Sequence, residues 1–244
     1  MLPRFLVPDL DPASGTASVS GGEAHHLSRV LRLGAGDEVI VFDGRGLEVR
    51  ATVERAAGGA VVVRLGDALT PAAERRVPLT LAQAVLKGTS MDDVVRDATM
   101  MGVAGIVPLV SAHTIARKAV APHSAERWRR VAVASTKQCR RGRIPEVAEP
   151  VTFDRWLAQP RDGVTVFLVE PSLPGVTPLS VRALASREQP RSGTLVVGPE
   201  GGWDADELQA ALAAGFVPIT LGPLTLRAEA VPLAALAALT VVWD

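Results

Sequence analysis

The sequence predicts an α/β protein in which a small barrel of short strands precedes a largely parallel sheet covered by helices. From Leu79 onward, apolar runs of strand length alternate with runs of helix length, which is typical of a parallel sheet with helices on both faces. Before that point, short β-like runs are separated by glycine turns at intervals of about ten residues, as in small barrels. Prolines and charges interrupt the hydrophobic pattern from Thr70 to Pro78. We therefore place one domain at residues 1–72 and a second at 73–244.

The N-terminal domain is predicted to hold one short helix and three strands. The helix runs from Glu23 to Leu33 and ends at Gly34. Its apolar stripe consists of Leu27, Val30 and Leu31. The predicted strands are Glu38–Phe42, Leu47–Glu54 and Ala60–Leu65.

The polar face of this helix carries His25, Arg29 and Arg32, which lie at positions i, i+4 and i+7. Guanidinium groups match the oxygens of phosphates, so the face could contact a nucleic-acid backbone. A solvated helix face is the alternative. A metal site at His25-His26 is not indicated, because adjacent helical residues diverge and no further Cys/His cluster accompanies them.

The second domain is predicted as alternating strands and helices. The strands are Leu79–Leu86, Gly105–Val110, Val164–Val169, Thr194–Val197 and Phe216–Leu221. The helices are Met91–Met101 with Ser90 as its cap, Ala125–Gln138, a short one near Leu179–Ala185, one after Asp204, and a closing one over Ala228–Val242. Asp204 with Glu207 three residues later is a capping-box pattern.

Two glycine-bearing loops follow the last two of these strands, at Gly198–Gly202 and at Gly222-Pro223. We expect the two strands to be neighbours in the sheet, with both loops at the same end, where open α/β sheets bind ligands. Neither loop has the spacing of a dinucleotide-binding or P-loop motif. A nucleotide-like ligand held by backbone groups fits the pattern, and glycines that merely make tight turns are the alternative.

Charge is balanced overall but segregated along the chain. The protein has 26 basic and 26 acidic residues, so net charge does not argue for a polyanionic partner. Residues 113–150, however, hold nine Arg or Lys against three Glu, a net charge of +6, whereas residues 198–244 have a net charge of −5. A polyanion site therefore has to come from a local excess of positive charge, and the first of these stretches has one.

The single cysteine, Cys139, excludes an internal disulfide and gives no reason to expect an oxidising compartment. No apolar run approaches the length of a membrane span, and no secretory signal pattern is present at the N-terminus. We expect a cytoplasmic protein.

A set of short motifs extends along nearly the whole chain. The N-terminal ones are His25–Leu33, Gly36-Asp37 and Phe42-Asp43-Gly44, followed by Lys87-Gly88 with Met91 and by Lys137-Gln138-Cys139. The C-terminal ones are Gly198-Pro199-Glu200-Gly201-Gly202, Ala214-Gly215-Phe216, and Leu221-Gly222-Pro223 with Leu226-Arg227 and Glu229. Together they resemble the RsmE family of SPOUT RNA methyltransferases.

The resemblance implies a PUA-like barrel as an RNA-binding module and a SPOUT domain with a C-terminal trefoil knot. It also implies S-adenosyl-L-methionine (AdoMet) as the methyl donor, bound in the knotted loops. The implied activity is methylation of N3 of a uridine in small-subunit (16S) ribosomal RNA. Knots are exceptions to the usual topology rules and do not follow from periodicity.

The implied activity assigns roles to residues of this sequence. A carboxylate can accept the N3 proton and a guanidinium can stabilise charge on the uracil oxygens, which makes Glu229 and Arg227 the candidate catalytic pair. Glu200 is the next candidate, with a turn carboxylate near a helix N-terminus as its alternative role. Predicted cofactor-binding residues are Val197, Gly198, Pro199, Glu200, Gly201, Leu221, Gly222 and Leu226. Predicted RNA-binding residues are Arg4, His25, Arg29, Arg32, Lys137, Arg140, Arg141 and Arg143, and no metal is expected.

Several positions depart from the family pattern. The family suggests Arg where Leu224 stands and Thr where Ala228 and Ala230 stand, and Thr89-Ser90 and Met100 replace residues that are usually charged. These departures leave two alternatives open. One is a catalytically weak RNA-binding protein, and the other is an enzyme that methylates a different base or a ribose 2′-hydroxyl.

The working unit is expected to be a homodimer. In the closing helix, Leu233, Leu236, Ala237 and Val241 lie on nearly one stripe, which serves either as core or as a dimer interface. Because the acidic C-terminal segment would repel phosphate, we expect RNA to pass from the barrel and basic segment of one protomer to the pocket of the other.

Overall fold

The computed structural model describes residues 2–57, 59–114, 123–171, 173 and 175–244. The chain forms two compact units. The first contains residues 1–73 together with 136–144, and the second contains 74–135 together with 145–244. The end of one long helix and the residues after it thus belong to the first unit, although they follow the start of the second unit in sequence.

The first unit is built on a mixed five-stranded sheet. Its strands are β1 (Arg4–Leu6), β2 (Thr16–Val19), β3 (Glu38–Phe42), β4 (Glu48–Ala57) and β5 (Ala60–Leu69). They lie in the order β1-β3-β4-β5-β2, with β1 and β3 parallel and the other pairs antiparallel. The three strands predicted from sequence are confirmed with small shifts at their ends. β1 and β2 were missed, because three or four residues are too few to show a period.

The predicted helix of this unit is wrong in its second half. Helix α1 (Gly21–His25) continues as a π-helical turn over His26–Val30. The turn holds one extra residue and changes which side chains face inward. Of the predicted apolar stripe, Leu27 is fully buried, whereas Val30 is 57% exposed and Leu31 41% exposed.

The turn between β3 and β4 is stabilised by Asp43. Its carboxylate accepts hydrogen bonds from the backbone N–H groups of Arg45 and Leu47, at 2.7 and 2.9 Å, and lies 3.3 Å from the Arg45 guanidinium. Partial burial raises the pKa of Asp43, but these hydrogen bonds outweigh it, so the pKa lies below its ordinary value of 3.8.

The second unit is an eight-stranded sheet in which all pairs are parallel. Its strands are β6 (Leu79–Ala84), β7 (Gly105–Val110), β8 (Glu146–Val147), β9 (Val151–Thr152), β10 (Val164–Leu168), β11 (Leu179–Ser180), β12 (Gly193–Val197) and β13 (Val217–Thr220). Their order is β11-β13-β10-β12-β6-β7-β8, with β9 also paired to β7. The predicted parallel sheet is confirmed, and the predicted C-terminal knot stays a prediction.

Helices α2 (Ser90–Met100), α3 (Ser124–Cys139), α4 (Phe153–Leu157), α5 (Val181–Leu184), α6 (Ala205–Ala213) and α7 (Ala230–Trp243) connect or follow these strands. The capping box at the start of α6 is confirmed, since Asp204 and Glu207 each bond the backbone of the other's position. The short segments β8, β9, β11 and α4 were missed. No helix in the described ranges is long and apolar enough to cross a membrane.

The side chain of Arg75, which precedes the first strand of the second unit, is buried and paired. Arg75 forms an ion pair with Asp244 at 3.1 Å and donates a hydrogen bond to the hydroxyl of Thr240 at 2.8 Å, and its side chain is only 6% exposed. Burial of the guanidinium lowers its pKa below the ordinary value. The start of the second unit is therefore anchored to the end of α7.

Candidate functional site

Three strands of the parallel sheet end at one edge beside a cavity of about 460 Å³. These strands are β13, β10 and β12, in that order across the sheet. The expectation that the two glycine-bearing loops follow neighbouring strands is wrong, because β10 lies between β12 and β13. The loop after β10 therefore forms the floor of the cavity between the two glycine loops.

The loop after β12 packs against the neighbouring strand β10. Trp203 Nε1 donates a hydrogen bond to the carbonyl of Leu168 at 3.1 Å, and its ring stacks on Phe167 with centroids 4.7 Å apart. A Cβ at Gly198 would lie 3.0 Å from Trp203 Nε1, so a side chain at this position would displace the indole. Gly202 has a φ of 72°, which L side chains adopt rarely. Both glycines are therefore needed for the path of the loop.

A residue of β6 and residues of the loops after β6 and β7 also contact the loop after β12. The buried Gln83 donates from Nε2 to the carbonyl of Gly198 at 3.3 Å. The Lys87 backbone N–H donates to Glu200 Oε1 at 3.0 Å. His113 Nδ1 lies 3.1 Å from the Gly201 carbonyl oxygen. These contacts restrict the motion of the glycine loop. Glu200 therefore both stabilises the loop and lines the cavity.

Glu207 links the loop after β7 to the helix that follows the glycine loop. Its carboxylate accepts hydrogen bonds from the backbone N–H of Ala112 at 2.7 Å and from that of Asp204 at 3.2 Å. The side chain is almost completely buried. Charge-assisted hydrogen bonds of this kind are stronger than neutral ones, so Glu207 fixes the distance between the two segments.

The second glycine-bearing loop, residues 221–229, closes the cavity from the side of β13. Leu224 is 77% exposed at its edge and Leu226 is 42% exposed. Arg227 and Glu229 both line the cavity, next to the start of α7. Within the described part of the chain, neither side chain has a hydrogen-bond or ion-pair partner, so both groups are available to a ligand.

The cavity brings together most of the residues predicted to bind the cofactor. Val197, Gly198, Pro199, Glu200, Gly201, Leu221 and Leu226 line it, together with both members of the proposed catalytic pair. Gly222 is not among its lining residues. The binding roles themselves stay predictions.

Sequence reasoning missed the contribution of the loop after β10. This loop supplies Val169, Glu170, Pro171 and Leu173 to the cavity wall. The signal was present in the sequence, since the predicted strand Val164–Val169 is followed directly by a carboxylate and a proline. Its importance depended on the strand order, which local patterns do not reveal.

Some of the basic residues predicted to contact RNA are buried and others are exposed. Arg4, one of the predicted contacts, is buried. Its side chain is 6% exposed and contacts both carboxylate oxygens of Glu48, at 2.5 and 3.2 Å. It also donates to the carbonyls of Arg140 and Arg141, at 3.3 and 2.7 Å. Arg4 is thus a buried link between the sheet and residues 136–144, because the carboxylate and both carbonyls accept from its two terminal nitrogens.

Lys137 and Arg141 are similarly withdrawn from the surface. Lys137 Nζ forms an ion pair with Glu23 at 2.8 Å, and Arg141 is buried. By contrast, His25, Arg29, Arg32, Arg140 and Arg143 are exposed. Arg117 and Lys118 of the basic stretch lie outside the described residues. These five exposed residues are therefore the remaining candidate RNA contacts.

Comparisons with known proteins find two matching domain families. A model of an RNA methyltransferase domain matches residues 73–240, and a model of an RNA methyltransferase PUA domain matches residues 19–66. Ribosomal RNA small subunit methyltransferase E of Synechocystis sp. is 32% identical over 234 residues, covering 96% of this chain and 76% of that protein. The protein of the same name from Mycobacterium bovis is 33% identical over 251 residues, covering 98% and 93%.

Two solved structures share the fold. A protein from Legionella pneumophila in complex with the bound cofactor SAM has a TM-score of 0.90 and 28% identity, over 99% of this chain and 98% of that one. Ribosomal RNA small subunit methyltransferase E from Neisseria gonorrhoeae, bound to S-adenosyl methionine, has a TM-score of 0.87 and 28% identity, over 100% and 98%. Taken with the order of elements and the cavity, these matches show that the chain belongs to the RsmE family of SPOUT RNA methyltransferases.

Proposed function

We propose that this protein transfers a methyl group from AdoMet to N3 of a uridine in small-subunit ribosomal RNA. One observation carries the proposal: a single cavity is lined by the glycine loop, by apolar side chains and by Arg227 and Glu229, which have no partner among the residues that the structure describes. Family membership and two relatives solved with this cofactor support it. An rRNA substrate also implies a cytoplasmic location.

The residues of the cavity fit AdoMet. There is no free room for a Cβ at Gly198 or at Gly201. A Cβ at Gly198 would lie 3.0 Å from Trp203 Nε1, and one at Gly201 would lie 3.1 Å from His113 Cβ. The path of the loop therefore depends on both glycines, and in our proposal its backbone N–H and C=O groups recognise adenine and ribose without charge. Val169, Leu221 and Val231 add apolar surface for the flat base.

AdoMet supplies a methyl group that its sulfonium already activates. The protein must then align the acceptor and remove the N3 proton. In our proposal, Glu229 accepts this proton, and Arg227 stabilises negative charge that develops on the uracil carbonyl oxygens. Glu200 is less suited to proton transfer, since one of its oxygens already accepts a hydrogen bond from Lys87.

The proposed assembly is a homodimer. Three side chains on one face of α7 support it: Leu233 is 39% exposed, Val241 is 87% exposed, and Ala237 lies between them. The fourth member of the predicted stripe, Leu236, is fully buried and belongs to the core. A second copy of the same face is a suitable cover for such an apolar strip.

RNA delivery in this dimer would depend on the exposed cations Arg140 and Arg143 of one protomer and on the cavity of its partner. The variant R140E/R143E should weaken RNA binding with a smaller salt slope and leave AdoMet binding intact. Mixing it with R227A should restore part of the activity, because a heterodimer pairs one intact basic segment with one intact cavity. A monomer in light scattering, or no recovery despite subunit exchange, would contradict the arrangement.

The experiment that tests the activity is methyl transfer from labelled AdoMet to small-subunit rRNA, followed by mapping of the modified nucleotide. Cells with and without the protein provide the control. Absence of transfer would favour an RNA-binding protein without activity. A methylated ribose or a different base would preserve the reaction class and overturn the choice of N3.

A further inference from the structure

The end of the first helix exposes two apolar side chains next to two cations. We call Arg29, Val30, Leu31 and Arg32 the helix-end surface. The π-helical turn is closed by a hydrogen bond from the Leu31 N–H to the His26 carbonyl at 2.9 Å, which spans five residues instead of four. The extra residue turns Val30 and Leu31 outward, to 57% and 41% exposure. Single-turn π-helical insertions occur frequently at functional sites.

The cations of this surface are not engaged elsewhere. Arg29 and Arg32 are exposed, and among the described residues neither has a hydrogen-bond or ion-pair partner. Acidic groups that are near in sequence are occupied. Glu23 holds Lys137 and the Leu6 N–H, and Asp37 accepts from the Gly34 N–H at 2.8 Å. The helix-end surface therefore presents uncompensated positive charge.

Arg32 has an unusual backbone conformation. Arg32 has a φ of 56° at the position that follows the helix, where glycine is usual because it has no Cβ to clash. An arginine in this conformation is unfavourable for folding. Such outliers cluster at functional sites, which favours a role of this arginine in binding.

We infer that the helix-end surface binds single-stranded RNA, with Arg29 and Arg32 at phosphates and with Val30 and Leu31 against the face of an unpaired base. The inference rests on the proposed function and specifies how that substrate is recognised. Charge selects a polyanion, and unpaired bases offer apolar faces that a duplex keeps stacked. Two apolar side chains are far fewer than the roughly twenty to thirty residues a side of a stable protein interface.

The two kinds of contact respond differently to salt. Each phosphate contact releases counterions, so log K against log salt has a slope of about −0.7 per neutralised phosphate of a single strand. Packing against a base releases none. Variants of the arginines and of the apolar pair should therefore be distinguishable in one titration series.

The test measures binding of the full-length protein to a labelled single-stranded RNA from the small subunit and to the same sequence as a duplex, at several salt concentrations. V30S/L31S should weaken single-strand binding about tenfold, because the change removes apolar area that packs against the base, with an unchanged salt slope and little effect on the duplex. R29Q/R32N should weaken both and reduce the slope.

Two exposed positions elsewhere provide matched controls. Met100 is 41% exposed on α2, as is Leu31, and Arg64 is exposed on β5. M100T and R64Q should bind RNA as the wild type does. Far-UV circular dichroism and AdoMet binding should be unchanged in every variant, since all the altered side chains are exposed.

Wild-type affinity of V30S/L31S for the single strand, or an equal loss for the duplex, would overturn the inference. A change in oligomeric size would also overturn it, because the apolar pair would then be a protein contact. These outcomes differ from a failure of the proposed function. If the proposed function is wrong, the wild-type protein itself does not methylate rRNA.

Discussion

Replacement of Arg4 separates a structural role from RNA contact. The guanidinium joins β1 to the Glu48 carboxylate and to two carbonyls of residues 136–144. The side chains of Arg4 and Glu48 are 6% and 5% exposed. In R4M the carboxylate stays buried without its partner. Breaking a buried pair in this way costs about 3–5 kcal/mol. The first unit should lose about that much stability.

Hydrogen exchange of the β3 amides measures this loss, because β3 pairs with β1 and with β4. A loss of about 3–5 kcal/mol corresponds to exchange that is faster by roughly two to nearly four orders of magnitude. The double variant R4M/E48L should recover most of the protection, since an apolar pair of similar volume is often neutral. R50Q is the control: its exposed pair with Glu38, at 3.4 Å, should contribute at most about 1 kcal/mol.

The reasoning would be refuted if R4M retained wild-type protection of β3. It would be reversed if R4M also bound RNA more weakly, with a reduced salt slope, while its stability was unchanged. Arg4 would then contact phosphate, and the buried pair with Glu48 would not describe the protein in solution.

Three further changes test the cavity and the turn after β3. G201V should weaken AdoMet binding in calorimetry, because a Cβ there would lie only 3.1 Å from His113 and the loop must move; unchanged affinity in a folded variant would place the cofactor elsewhere. R227A should lower kcat with little change in AdoMet affinity, since charge stabilisation acts mainly in the transition state; a loss confined to affinity would make Arg227 a loop anchor. The lowered pKa of Asp43 gives a stability contribution that is fully present above pH 3.8 and is lost as pH falls through the folded-state pKa. Urea unfolding of D43N should lack this acid-dependent loss, and a profile parallel to the wild type would contradict the assignment.

The sequence by itself determined the features that depend on neighbouring residues. Strands β3 and β7 match their predicted bounds, and the capping box at Asp204 forms as expected. These signals are local, because side-chain periodicity and helix caps involve residues only a few positions apart. The glycine loops at Gly198 and Gly222 were also recognisable, since glycine has few other uses at the end of a buried strand.

Tertiary structure decided the features that depend on distant residues. Arg4 reads as a surface cation until Glu48, 44 positions away, and the carbonyl of Arg141, 137 positions away, are seen to surround it. The place of β10 between β12 and β13 likewise follows from pairing across the sheet. Periodicity places a side chain on a face of its own element, but which element covers that face is set by long-range packing. For this reason the sequence located the glycine loops. Only the folded chain determined which loop forms the floor of the cavity and whether each basic side chain is buried or exposed.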